Sequence, residues 1–255
     1  MEDIEQQRRH FESIADKYRD SRGHPNHLAV KEMTWLYFLE NKKFPDPMRV
    51  LEPMCGYAEG KQILQRYTGR RLQYTGFDFS ETLVNHARRE DPSANVFLQD
   101  ATTYEPGNNR YDVIILIGGL HHVYRHVDNV VQRLSRALVP GGRFINFEPT
   151  QNNALFRYVR NRIYRKNNLF DADTERGFDL DELNGLFRRN GFVLEDQIYP
   201  GLLSYVLYYN PDAFPALNVG GTRLVKFLAG VDRCFFRNWV GRKLSFATLS
   251  MWRKP

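Results

Sequence analysis

The chain is poor in cysteine and has no long apolar run, and each absence excludes a class of protein. Cys55 and Cys234 are the two cysteines among 255 residues. Two are too few for a disulfide framework or a cysteine-based metal site, and they suit a reducing cytosol. No stretch is long and apolar enough to span a bilayer. Residues 1–18 are charged, which argues against a signal peptide. We therefore expect a cytoplasmic location, and the low cysteine content leads us to expect no metal.

Two phosphate-binding motifs, G-x-G-x-x-G and G-x-x-x-x-G-K-[ST], are also absent. The candidate cofactor loop is instead RVLEPMCGYAEG, residues 49–60, which begins as a short apolar strand and ends at a helical pattern. Its small residues Gly56 and Ala58 would let a ligand approach the backbone. Glu52 would repel a pyrophosphate and favour a cationic or amine-bearing ligand. A turn that only packs a helix is the alternative interpretation.

Strands and helices alternate between residues 49 and 149, which predicts a parallel sheet with ligands at the carboxyl ends of its strands. Asp78 ends the second strand, about 20 residues after the loop, where a carboxylate can bind ribose hydroxyls. Enzymes that bind NAD and enzymes that bind S-adenosylmethionine (SAM) both use such a carboxylate to hold the ribose. The run YDVIILI, residues 111–117, is apolar throughout, as a strand buried on both faces should be.

Four motifs in order resemble those of the class I SAM-dependent methyltransferases, in particular the small-molecule methyltransferases. Glu52, Gly56 and Gly60 are similar to the first motif, although Met54 stands where that family has a glycine. The others are Asp78 after the second strand, Gln99-Asp100-Ala101 after the third, and Leu120-His121-His122 after the fourth, followed by LSRALVPGGRF at residues 134–144. The resemblance covers residues 49–149.

This resemblance implies an α/β, Rossmann-like, doubly wound fold with a mostly parallel seven-stranded sheet. It divides the chain into an N-terminal helical cap (1–45), a SAM-binding core (46–150), an inserted cap after the fifth strand (151–177) and the C-terminal part of the fold (178–255). We also expect late strands at 202–209 and 243–252, and one helix over 221–240.

The cofactor implied by the resemblance is SAM, with S-adenosylhomocysteine as its product. Asp78 is expected to bind the ribose and Asp100 the adenine amino group, and Tyr18 either closes the pocket or packs in the N-terminal helix. The residues expected at the cofactor are Tyr18, Glu52, Met54, Cys55, Gly56, Ala58, Gly60, Asp78, Phe79, Asp100, Ala101, Ile117 and Gly118.

His121 and His122 follow the fourth strand, where the transferred methyl group is expected. Imidazole is a suitable general base near neutral pH. The sequence favours His122, because the Gly118-Gly119 turn leaves later residues to reach the substrate. The alternative is catalysis by proximity alone, with the two histidines forming a structural turn.

Aromatic residues are frequent in the segments expected to wall the pocket, which predicts a small aromatic or hydrophobic metabolite as substrate. Methylation could be on oxygen, nitrogen or carbon. The Asn/Asp-Pro-Pro-Tyr/Phe tetrad of enzymes that methylate DNA or protein amides is absent, which argues against DNA as a substrate or partner. We do not expect RNA as a partner either.

Two other functions remain open. One is an NAD-dependent oxidoreductase. The other is a methyltransferase-fold protein that binds RNA or a membrane surface without turnover. Residues 222–254 hold eight basic residues and one acid, interleaved with aromatic and apolar residues, so contact with a membrane is possible, although an ordinary solvated face has the same composition. The sequence does not indicate the oligomeric state.

Overall fold

A computed structural model describes residues 5, 8, 9, 12, 13, 19–152, 177–211 and 215–255. The strands are β1 (Met48–Pro53), β2 (Leu72–Asp78), β3 (Asn95–Leu98), β4 (Tyr111–Ile117), β5 (Leu138–Pro149), β6 (Val193–Ile198) and β7 (Ala247–Arg253). The helices are α1 (Pro25–Leu39), α2 (Glu59–Thr68), α3 (Glu81–Glu90), α4 (Val127–Ala137), α5 (Leu180–Arg189), α6 (Leu203–Tyr208), α7 (Thr222–Arg233) and α8 (Trp239–Leu244), with a 3-10 helix at Leu120–His126.

The seven strands form one sheet in the order β3-β2-β1-β4-β5-β7-β6. Strands β1 to β5 are parallel, and β7 runs antiparallel between β5 and β6. The predicted mostly parallel seven-stranded sheet is therefore confirmed. The chain leaves β1 toward β2 on one side and returns to β4 on the other, so a crevice is expected between the carboxyl ends of β1 and β4.

Helices cover both faces of the sheet, and β4 contributes to both layers of the core. Val113 and Ile115 belong to the layer with α1 and α2, whereas Ile114 and Leu116 belong to the layer with α4 and α5. All four side chains are at most 1% exposed. The apolar run 111–117 is thus buried on both sides, as predicted.

Three predictions about the later elements were wrong. Residues 203–208 form α6 and not a strand, because Ser204 donates from its backbone amide and its hydroxyl to the buried Asp232 carboxylate, at 2.7 and 2.6 Å, and so fixes a helical start. The helix expected over 221–240 is two helices, α7 and α8. Residues 243 and 244 complete α8, so the last strand begins later than predicted.

Two predictions concern residues outside those that the structure describes. One is the role of Tyr18. The other is the inserted cap, of which only residues 151, 152 and 177 are described. Among the helices that are described, none is long and apolar enough to cross a membrane.

Candidate functional site

The loop after β1 is built from left-handed backbone conformations. Met54, Gly56 and Ala58 have φ values of 51°, 50° and 57°. A Cβ added at Gly56 would meet nothing within 4 Å, so the backbone there borders open space. The loop therefore exposes its main chain toward the carboxyl edge of the sheet, where a ligand can approach it closely.

Glu52 holds this loop from behind. Its carboxylate accepts hydrogen bonds from the Gly60 amide at 2.7 Å and the Lys61 amide at 3.1 Å, both at the start of α2, and from the Tyr74 hydroxyl at 2.6 Å. Burial raises the pKa of Glu52 to about 7, against the opposing effect of these hydrogen bonds. A helix N-terminus is an anion site, and here a carboxylate of the same chain fills it.

The contacts of Glu52 bear on the choice between NAD and SAM as the cofactor. In a dinucleotide-binding fold the pyrophosphate sits on the helix N-terminus that follows β1. The first amides of α2 are already bonded to Glu52, so a pyrophosphate would have to displace a buried carboxylate of like charge. The site therefore disfavours NAD and leaves a cofactor without phosphates as the better fit.

Gly60 is where α2 passes closest to the sheet, which gives a stability prediction. A Cβ at Gly60 would lie 2.7 Å from Ile115 Cγ2 and 2.8 Å from Glu52 Cδ. Gly60→Ala should therefore lower the free energy of unfolding by about 1–3 kcal/mol, the usual cost of overpacking, as measured by urea unfolding. The matched control is Gly230→Ala within α7, where nothing lies within 4 Å and stability should rise by about 0.5–1 kcal/mol. Equal effects of the two substitutions would contradict the argument.

Asp78 joins the end of β2 to the loop. Its side chain is 4% exposed and accepts hydrogen bonds from the Gly56 amide at 2.9 Å and the Ser80 amide at 3.0 Å. Burial raises the pKa of Asp78, and these two bonds oppose the rise. A carboxylate oxygen can accept more than one hydrogen bond, so two amide contacts leave acceptor capacity for hydroxyls.

Asp100 lies beside Asp78 at the same edge. Asp78 pairs with Leu98 in the sheet, and the Gln99 amide donates to the Asp78 carbonyl at 2.8 Å. The Asp100 side chain accepts the Thr102 amide at 2.7 Å, and Ala101 is buried. Phe79, which is half-buried, completes this side of the crevice.

The end of β4 closes the crevice on its other side. Gly118 has a φ of 63°, and its amide donates to the Phe147 carbonyl at 2.7 Å. The nearest atom to a Cβ added at Gly118 would be His121 Cε1, at 4.0 Å. Ile117 and Gly118 are half-buried. The ends of β1, β2 and β4 thus bring together backbone that borders open space and two carboxylates.

The sequence prediction did not include Glu148, which lies in β5 next to this crevice. Its side chain is 0% exposed and accepts the Leu120 amide at 2.8 Å, and its second oxygen lies 2.8 Å from Nδ1 of His121. Burial raises the pKa of Glu148 to about 7, against the lowering effects of the Leu120 amide and of His122. A carboxylate before Pro149, at the end of a buried strand, was the available signal.

The two histidines lie side by side in the 3-10 helix. Their ring centroids are 3.9 Å apart. His121 is 9% exposed and is held by Glu148, whereas His122 is half-buried and lies close enough to Asp78 and Glu148 to lower the pKa of both carboxyls, although burial raises each pKa overall. The structure thus places His121 against Glu148, and His122 near both Asp78 and Glu148.

Four aromatic residues form what we call the aromatic wall: Trp35, Phe147, Tyr205 and Tyr209. Phe147 is at the carboxyl end of β5, and its ring centroid lies 5.9 Å from Trp35, 5.5 Å from Tyr209 and 6.2 Å from Tyr205. Tyr205 and Tyr209 stack at 4.5 Å. Because Phe147 is bonded to Gly118, the wall adjoins the crevice.

A buried histidine supports this wall without adding charge to it. His27 of α1 donates from Nδ1 to the Tyr209 carbonyl at 2.7 Å, and its ring lies 4.9 Å from that of Tyr209. Burial lowers the pKa of His27 to about 3, so the ring is neutral at neutral pH. Trp35, Phe147 and Tyr209 are buried in the core, so Tyr205, which is half-buried, is the member of the wall with surface left for an apolar group.

Comparison with known proteins now identifies the domain. Residues 50–142 match the family model described as "Methyltransferase domain". The chain is 33% identical over 99 residues to a fatty-acid O-methyltransferase of Mycolicibacterium smegmatis, covering 38% of this chain and 35% of that protein. It is 29% identical over 127 residues to a trans-aconitate 2-methyltransferase of Variovorax paradoxus, covering 49% and 44%. The chain thus spans less than half the length of these two relatives.

A solved structure supports the fold over nearly the whole chain. The SAM-dependent methyltransferase from Thermotoga maritima, described as a possible histamine N-methyltransferase, superposes with a TM-score of 0.63 at 14% identity and covers 97% of this chain and 99% of its own. Together these findings confirm the resemblance. Residues 50–142 match a methyltransferase domain, and the relatives and the fold support SAM as its cofactor.

The residues present fit this cofactor. The open backbone beside Gly56 and Gly118 leaves room for a ligand to lie against the loop, and Asp78 and Asp100 supply acceptors for hydroxyl and amino groups. Glu52 occupies the helix N-terminus that a phosphate would need, and SAM carries no phosphate.

Proposed function

We propose that the protein transfers the methyl group of SAM to a small molecule that has an aromatic or hydrophobic part. The observation that carries the proposal is the position of the His121–Glu148 pair. It lies between the crevice bordered by Gly56, Asp78 and Gly118 and the aromatic wall at Phe147.

Residues of the crevice hold the cofactor in this proposal. Asp78 accepts hydrogen bonds from the ribose hydroxyls and Asp100 from the adenine amino group, while Gly56 and Gly118 allow close approach to the backbone. Bound SAM supplies a methyl group that is electrophilic because its sulfur is a sulfonium cation. The remaining expected contacts, including Met54, Cys55, Ala58, Phe79, Ala101 and Ile117, surround the same edge of the sheet. Tyr18 stays a prediction from the sequence.

We assign the role of general base to His121 in preference to His122. When Glu148 is ionised it can only accept a hydrogen bond, so Nδ1 of His121 carries the proton and Nε2 is the atom able to take one from the substrate. A buried carboxylate also fixes the orientation of the ring. The sequence alone favoured His122, and its position near both Asp78 and Glu148 keeps it as the alternative.

The substrate class follows from the aromatic wall and from what the relatives are named for. The wall adjoins Gly118 and its half-buried member is Tyr205, so the substrate should place an apolar part against Tyr205. The two relatives are named for a fatty acid and for trans-aconitate, both small molecules. The accepting atom, oxygen, nitrogen or carbon, is left to experiment.

Incubation with isotopically labelled SAM and a metabolite extract tests this proposal. We expect label in a small-molecule product that partitions into the organic phase, identified by mass spectrometry, and we expect the His121→Gln variant to form it about 10²–10⁴-fold more slowly. Retained SAM binding by that variant, measured by calorimetry, shows that its site is intact. Label only in RNA or protein would overturn the small-molecule substrate. Tight SAM binding without any product from a broad extract would favour the protein without turnover.

A further inference from the structure

Helix α7 has two apolar faces, and only one of them faces the protein. Val225 and Ala229 are at most 2% exposed and point inward, where α7 packs on α1 and α6. On the other side Leu224, Phe227 and Val231 are 44%, 67% and 45% exposed. We call these three residues the apolar stripe. A surface helix ordinarily has one apolar face and a polar opposite face, so folding does not explain the stripe.

The stripe belongs to a wider concentration of exposed apolar side chains. Within the described residues, twelve large apolar side chains are more than a third exposed, and seven of them lie between residues 217 and 244. The most exposed is Trp239 of α8, at 72%. Single exposed apolar residues are normal, but a concentration of this kind marks a binding surface. Exposed Trp and Phe are typical of surfaces that enter the interface of a bilayer.

The charges carried by residues 222–254 are nearly all of one sign, although Lys226, Arg237 and Arg242 each pair with an acid from another part of the chain. Residues 222–254 contain eight basic residues, and their one acid, Asp232, is 5% exposed and bonded to Ser204. On α7 itself Arg223 and Lys226 are exposed next to the stripe, and Lys226 lies 3.1 Å from Glu32 of α1. Basic residues around an apolar helix face complement anionic lipid headgroups, each adding about 1 kcal/mol near such a surface.

The position of α7 relative to the site gives the surface a use. Helix α7 packs on α1 and α6. Helix α1 carries Trp35, α6 carries Tyr205, and Tyr209 follows α6 directly, so these two helices supply most of the aromatic wall. The stripe is thus the outer side of the layer whose inner side adjoins the crevice. We propose that α7 and α8 dock on an anionic lipid bilayer through the apolar stripe and Trp239. If the proposed function is correct, the substrate reaches the site from that bilayer.

Tryptophan fluorescence tests the docking directly. Trp35 and Trp252 are 0% exposed and Trp239 is 72% exposed, so the three tryptophans should respond very differently to lipid. Vesicles of phosphatidylcholine with about one third phosphatidylglycerol should shift the emission to shorter wavelength and shield it from acrylamide. Trp239→Phe should remove the shift while the protein still sediments with the vesicles. Neutral phosphatidylcholine vesicles should bind more weakly, and added salt should weaken binding to the anionic vesicles.

Matched variants separate docking from general stickiness. Phe227→Ser combined with Trp239→Ser should lower the vesicle partition coefficient by about tenfold or more, because both side chains leave water on docking. The control is Leu98→Ser on β3, which is 50% exposed and lies at the opposite edge of the sheet from β6, and it should bind as the wild type does. Both proteins should bind SAM normally, so the result does not depend on catalysis.

Three outcomes would overturn the proposal. One is no binding to anionic vesicles. Another is a loss of vesicle binding in Leu98→Ser as large as that in the Phe227→Ser, Trp239→Ser double variant. The third is a concentration-dependent dimer, seen by analytical ultracentrifugation and abolished by Phe227→Ser, which would make the stripe an interface between two copies of this chain. If the vesicles bind but no methylated product is ever found, docking stands and the proposed function fails.

Discussion

Replacing His121 by Gln should lower kcat by about 10²–10⁴-fold, the usual contribution of a general base, and leave SAM affinity within about twofold. Gln can still donate to Glu148 but cannot accept a proton near neutral pH. In the wild type the rate should rise with pH through about 7, because burial raises the pKa of Glu148 to about 7 and Glu148 must be ionised to hold the His121 proton on Nδ1 and leave Nε2 free. The variant should lose this rise.

Two further variants test the assignment. Glu148→Gln should also lower kcat strongly and change the pH dependence, because the amide can donate to Nδ1 of His121 and leave the proton on Nε2, although Glu148 does not touch the substrate. His122→Gln should keep the pH dependence. A large loss in His122→Gln with a near-normal His121→Gln would move the role to His122. Near-normal rates in both would leave proximity as the mechanism and the histidines as packing residues.

The local features of the site could be predicted from the sequence because each is set by a few adjacent residues. The strand end at Asp78, the helix start at Ser80 and the turn containing Gly56 all follow from short patterns, and the structure has them where predicted. Ser80 accepts the Leu83 amide at 3.2 Å, as a helix cap should.

What could not be predicted depends on register between distant segments. Glu52 was expected to face the ligand, but it meets Tyr74 and the start of α2, because β1 and β2 pair Glu52 with Gly76. A side chain on Gly76 would lie 2.4 Å from the Tyr74 hydroxyl, so this glycine makes room for that contact. Glu148 was missed for a similar reason, since its partners come from the loop after β4, 27 and 28 residues earlier.

The position of Glu52 also explains how one sheet architecture separates two cofactors. The α2 N-terminus provides partial positive charge whatever the ligand, and an anion has to satisfy it. In this chain the anion is part of the protein, and Gly60 is needed for its approach. We therefore expect dinucleotides to bind poorly because of a carboxylate that need not touch the cofactor.

Replacing Asp78 by Ala should weaken SAM binding by about 1.5–3 kcal/mol, or roughly 10–150-fold in Kd, the range for hydrogen bonds to a charged group. The substitution also removes the acceptor of the Gly56 and Ser80 amides, so part of the loss could come from a loosened loop. Asp78→Asn addresses this, because its side-chain oxygen can still accept one amide while the charge is gone. Ser80→Ala removes a helix cap from the same turn and leaves the carboxylate in place.

Calorimetric titration with SAM and thermal unfolding without it separate the two effects. We expect Asp78→Ala and Asp78→Asn to bind SAM much more weakly, and Ser80→Ala to lose about 1 kcal/mol of stability with nearly unchanged affinity. S-adenosylhomocysteine should show the same pattern, since it has the same ribose. If Ser80→Ala weakens binding as much as Asp78→Ala does, the acid acts through the loop. Unchanged affinity in Asp78→Ala would remove it from the ribose site altogether.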